Sequence, residues 1–175
     1  AAIKAMDAAN IPVTAAAPMS GPYSLAAYGD AIFYGNTPLG GTLFAPLLTT
    51  GYQKAYGNLY KTPSDAYNSP FAENVESILT NPTFAGSLVN PANLPGLFQL
   101  APTGSPLLDA LSPKDPKFGF GFSASNYMIK TSYRAAYLAD AQANPDGAVP
   151  SITASPLPAA TPTNTLRQAF KLNDL

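Results

Sequence analysis

SNYMIKTSYRAAYLADAQANPDG, residues 125–147, is the stretch on which the fold turns. Its first nineteen residues predict a helix over 125–143, with Tyr127, Lys130, Arg134, Tyr137, Leu138 and Ala141 supplying long or core-facing side chains. Asn144-Pro145-Asp146-Gly147 is an emphatic stop, because proline lacks the N–H that would continue the helix and glycine favours the reversal. Lys130 and Arg134 fall one turn apart and repel unless an acid separates them. Arg134 and Asp140, six apart, are not helix neighbours. A structural pair with one of the acids of residues 22–163 is therefore expected.

Working outward, the same helical reading recurs. Tyr23, Ala26, Ala27, Asp30 and Phe33 predict a helix over 23–34. A second is expected over 42–58, with Pro46 and Gly51 as candidate breaks. Ser69-Pro70 reads as a helix start, a hydroxyl cap followed by proline at the first position, for a helix over 70–79 that ends at Asn81-Pro82. Shorter helices are expected at 83–89 and 106–111. Residues 148–163, rich in Pro, Ser, Thr and Ala, read as an extended arm. A last helix follows from 162–164 and carries Leu166, Ala169, Phe170 and Leu172.

One segment departs from this pattern. Residues 1–10 read as the last turns of a helix, stopped at Asn10 and Pro12, and residues 11–17 as a short buried strand with β-branched Ile11, Val13 and Thr14. The fold class expected is thus mostly α with one core β-strand. A helix followed by a lone strand is half of a βαβ unit, and a start inside a helix without Met is the pattern expected of a fragment.

Composition narrows the function classes. The chain has 175 residues, long enough for a core, yet only 11% are charged against 46% apolar. A net charge of −1 offers no basic field for a phosphate backbone, which argues against nucleic acid as a partner. No run approaches the roughly 20 apolar residues of a membrane span. The chain has no histidine and no cysteine, so the commonest general base, thiolate ligands and disulfides are all missing. No metal or cofactor is implied. Glu73 and Glu76, the one close acidic pair, share a helix face and read as solvated.

Three constellations invite a functional reading. Ser20 lies in a strand-to-helix turn, but a nucleophile elbow requires G-x-S-x-G, and here Pro18 and Pro22 occupy the glycine positions. It reads as a turn serine, with a substrate-facing role as the alternative. Phe118-Gly119-Phe120-Gly121-Phe122 is preceded by Lys117 but by no strand signal of the kind a phosphate loop needs, so it reads as an apolar packing loop, with an acyl-chain contact as the alternative. Tyr52, Tyr56 and Tyr60, four apart, predict three phenols on one helix face, either as core edge or as substrate lining.

Read in order, AANIPVTAAAPMSGPYSL at 8–25, LLTTGYQKAYGNLY at 47–60, SYRAAYLADAQANPDG at 132–147 and LRQAFKLNDL at 166–175 resemble bacterial α/β-hydrolases of the secretory lipase/esterase group. The resemblance implies a layout. Residues 1–21 would be the end of the helix after the nucleophile and one strand of the hydrolase sheet. Residues 22–163 would be the Pro-rich helical cap or lid, and residues 164–175 the return helix to the core. The Ser-Asp-His triad would lie outside the chain, so no residue here is assigned a catalytic role.

Met19, Ser20, Gly21, Pro22 and Tyr23 would line the substrate pocket. The partners implied are a small-molecule ester or lipid and the rest of the hydrolase core. The location implied is secreted or periplasmic. A non-catalytic helical binding or structural module and a peptidase of the same fold are the competing readings.

Overall fold

The computed structural model describes residues 6, 8–12, 24–38, 40–90, 92, 94–114, 119–145 and 161–174. It is mostly helical with one small parallel sheet. The elements are α1 (Leu25–Phe33), α2 (Gly41–Tyr56), α3 (Pro63–Ala66), α4 (Phe71–Asn74) running into a 3₁₀ turn (Val75–Ser77), α5 (Pro82–Ser87), β1 (Phe98–Gln99), α6 (Pro106–Ala110), β2 (Phe122–Ser123), α7 (Thr131–Ala143) and α8 (Thr165–Leu172).

Local chemistry sets most of these boundaries. In α8 the Asn164 side chain accepts from the backbone N–H groups of Leu166 and Arg167 at 3.1 and 3.2 Å, satisfying two of the helix's orphan donors. Asn81 does the same for α5, accepting from Phe84 N at 3.0 Å. Thr62 and Asp65 form a reciprocal capping box on α3. Pro46 does not break α2: in the second turn it withholds one bond from the Thr42 carbonyl and the helix continues to Tyr56. The Gln53 side chain then clasps the exit turn, accepting from Leu59 N and Tyr60 N and donating to Tyr60 O.

Two helical expectations are corrected. The helix opened by Ser69-Pro70 starts at Phe71 and tightens to 3₁₀ at Val75, and Ser69 donates to the Glu73 carboxylate at 2.9 Å instead of capping the backbone. The helix expected from Ser125 begins six residues later, at Thr131. Residues 126–130 are extended because their backbone groups are bonded sideways. Gly96 N donates to Asn126 O, Met128 N to Gly96 O, Ile129 N to Leu97 O, Asn68 N to Met128 O and Lys130 N to Ala66 O, all at 2.8–2.9 Å. Lateral partners that bury Met128 and Ile129 outcompete a helical turn.

The sheet was not foreseen. β1 and β2 pair in parallel, Phe98 opposite Phe122 and Gln99 opposite Ser123, and the Gly121 carbonyl accepts from both Leu97 N and Phe98 N. Phe120 of the glycine-aromatic run stays exposed while Phe122 enters a strand and is buried. A Cβ at Gly96 would sit 2.6 Å from Ser123 N, so glycine is what lets the two backbones meet there. Of the strand expected over 11–17, Ile11 and Pro12 are neither helix nor strand, and the rest lies outside the described residues, as do most of 1–10 and of the 148–163 arm.

The core runs through Phe33, Leu97, Phe98, Tyr137, Leu138 and Leu166, all buried. From α7, Arg134, Tyr137, Leu138 and Ala141 face inward at i, i+3, i+4 and i+7, one helical stripe. α8 packs on α1 and α2, and Ala26 N donates to Asp174 Oδ1 at 2.9 Å.

Candidate functional site

The five residues expected to line a substrate pocket, Met19, Ser20, Gly21, Pro22 and Tyr23, lie outside the described residues. Three other places hold unusual chemistry.

The first is a corner where α1, α7 and α8 meet. Arg167 on α8 makes a two-pronged contact with Asp30 on α1, Nε to Oδ1 at 3.0 Å and Nη2 to Oδ2 at 2.8 Å, and its Nη1 reaches Asp140 Oδ2 on α7 at 2.8 Å. Tyr137 donates its hydroxyl to Asp30 Oδ1 at 2.8 Å. The second oxygen of Asp140 accepts from Thr163 N, Thr163 Oγ1 and Asn144 Nδ2.

Burial is the largest influence on Asp140 and would raise its carboxyl. The bonds from Thr163 and Arg167 outweigh it and hold the group well below the usual carboxylate range. Burial likewise works against the Arg167 charge, and Asp30 and Asp140 reverse that, holding it above an ordinary arginine. Both acids are committed to one guanidinium, so neither is free for proton transfer. Asp140 is thus partnered by Arg167, not by Arg134.

The second place is Arg134, which has no acid as its partner among the described residues. Its guanidinium lies 4.4 Å from the ring centroid of Phe98 and 5.1 Å from that of Phe122, and Nε donates to the Phe33 carbonyl at 3.0 Å. Nη2 is buried without a hydrogen-bond partner among the described residues. Burial pulls this side chain down to about 10, still cationic near neutral pH. The aromatic faces supply the attraction that a carboxylate would otherwise give.

The third is an apolar crevice between α1 and α2. Tyr28, Ile32, Phe44, Leu48, Leu97 and Phe170 contribute to its walls, enclosing a cavity of about 20 Å³. Phe44 stands at 57% exposure and Tyr28 is also exposed. The enclosed space is about that of one water molecule, with these two aromatic rings at its rim. Phe44 and Leu48 are one turn apart on the predicted second helix, and that spacing was the signal available in the sequence.

The tyrosine series instead serves packing. Tyr52 sets its ring edge against Phe170 with centroids 5.8 Å apart, and Tyr56 accepts from Asn173 Nδ2 at 2.9 Å. Tyr60 lies beyond the end of α2, buried, with its hydroxyl on Glu76 at 3.4 Å. Burial first, and Glu76 after it, push that phenol up to about 12. Glu73 and Glu76 have separate partners and form no joint site.

Among the described residues no group of three or more His, Cys, Asp or Glu is placed to hold a metal, and no helix is long and apolar enough to cross a membrane. No family model matches the chain, and neither a curated protein nor a solved structure does.

Proposed function

We propose that this chain is the helical cap of a serine carboxylic-ester hydrolase of the lipase/esterase type, the apolar crevice between α1 and α2 forming part of the acyl wall. The observation that carries the reading is that crevice, with Phe44 and Tyr28 held in water at its rim. A cap excludes water and supplies apolar contact, while serine, histidine and oxyanion donors come from elsewhere. That division fits a chain with no histidine. A mostly helical, proline-rich architecture with short helices suits a lid that opens and closes. The resemblance also carries the secreted or periplasmic location, as part of the same proposal.

A second reading, a non-catalytic helical binding module, draws on the closed core of the described residues, in which Tyr67, Phe98, Tyr137 and Leu166 are fully buried. The coding sequence on either side separates the two. A G-x-S-x-G motif shortly before Ala1, with Asp and His after Leu175, is expected for the cap. Start and stop codons at these two positions would sink the cap reading and leave the binding module. For the purified chain, the cap reading expects no turnover of a p-nitrophenyl ester. It also expects binding of a medium-chain alkyl ester that Phe44→Asp weakens.

A further inference from the structure

Three buried polar atoms among the described residues have no hydrogen-bond partner: Arg134 Nη2, Thr37 Oγ1 and Thr42 Oγ1. All three can donate, and two of them, Thr37 Oγ1 and Arg134 Nη2, belong to side chains that pack against the Gly121–Phe122 segment. Thr37 and Thr42 belong to the α1–α2 connection and the first turn of α2, and Arg134 lies under that connection. Thr37 packs on Gly121, and Arg134 stacks on the neighbouring Phe122. Gly35, between them, has Phe122 and Arg134 Nη2 as neighbours of the Cβ it lacks, the latter at 4.0 Å.

An unmatched buried donor costs free energy, and an unmatched buried cation costs more. Phe98, Phe122 and the Phe33 carbonyl engage the faces and Nε of Arg134 and leave one edge of its fork open. Beside that edge runs the α1–α2 connection, in which Gly35 is half-buried and Asn36 is exposed. Gly35 has φ +117°, a conformation side-chain-bearing residues rarely adopt, and a Cβ there would press to 2.9 Å from the Leu111 carbonyl.

We propose that Arg134 is the floor of a binding site for a small carboxylate, which enters under the α1–α2 connection and is held by Arg134 Nη2 and the Thr37 hydroxyl. A carboxylate offers the acceptor lone pairs these donors lack and the negative charge the guanidinium lacks. Its carbon end would face the Phe122 ring. The site is separate from the crevice, and its fate does not depend on the ester-hydrolase reading.

The test is thermal unfolding of the 175-residue chain titrated with sodium acetate, against matched sodium chloride. Acetate is expected to raise the midpoint with the logarithmic dependence of one-site binding, by about 3–6 °C at ten times its Kd. Arg134→Met should abolish that rise, and Thr37→Val should weaken acetate binding about fivefold, the value of one ordinary hydrogen bond. No rise beyond that of matched chloride, or an equal rise in Arg134→Met, overturns the proposal. Should Arg134→Met fail to fold, the Arg134 Nε–H resonance decides. It shifts saturably with acetate if the site exists, and an unmoved resonance overturns it.

Discussion

Arg167 and Arg134 are buried to nearly the same depth, 3% and 1% exposed, in opposite company. Arg167 sits between two carboxylates and donates three hydrogen bonds to them, on two other helices, whereas Arg134 sits against two phenyl faces and one carbonyl. The first corner answers a formal charge with formal charges and carries one negative charge in excess. The second spreads a charge over ring quadrupoles and leaves an edge open. Taking an ion out of water is costly in either case, so the two corners should respond differently when the ion is removed.

The largest effect is expected at Arg167. Arg167→Met leaves Asp30 and Asp140 near each other without their cation and should cost about 3–5 kcal/mol in urea unfolding, the range for breaking one side of a buried pair. A loss near that of Arg134→Met would end the distinction between the corners. Next comes acid. The folded Asp140 carboxyl lies below its ordinary value, so its contribution is present above the usual carboxylate range and is lost as pH falls through it, beginning near about pH 4. Asp140→Asn should cost about 2 kcal/mol at neutral pH and flatten the acid limb of the urea midpoint. An unchanged limb would place the acid sensitivity elsewhere.

Arg134→Met should cost only about 1 kcal/mol, because the lost bond to the Phe33 carbonyl is offset by relief of an uncompensated buried charge. The smallest effect is its pH signature. With the folded value lowered to about 10, the unfolded chain binds the proton more tightly above that pH, so wild-type stability gains on Arg134→Met as pH rises from about 9 to 11. Parallel curves would mean that this guanidinium is better solvated than its packing indicates.

How much of this was legible in the sequence follows the range of the interactions. α1, α2, α5, α6 and α8 begin and end within a few residues of where proline, glycine and asparagine placed them, because caps and stops act within one turn. The inward stripe of α7 was legible for the same reason. Its true start was not, since the extended run 126–130 is decided by Ala66, Asn68, Gly96 and Leu97, residues about 30 to 60 positions away. Arg134 was read as needing an acid because charge rules name carboxylates first. That Phe98 and Phe122 would close on it depends on a parallel pairing with no local signal in Gly-Phe-Gly-Phe. The candidate site residues 19–23 lie outside the described residues, whereas the crevice between α1 and α2 draws its walls from several segments, of which only the Phe44–Leu48 spacing was legible locally.

The ties between α1 and α8 have a consequence in time as well as in stability. Asp30 and Arg167 are 137 residues apart, and Ala26 and Asp174 are 148 apart. Closing so long a loop costs conformational entropy before any contact forms, whereas α3, α4 and the 3₁₀ turn meet neighbours close in sequence. Assembly should therefore begin in the 60–80 region, and the docking of α8 onto α1 should come late. The same order predicts which part lets go first: amides of α8 should exchange with solvent deuterium through an opening that leaves Tyr67 and Val75 enclosed.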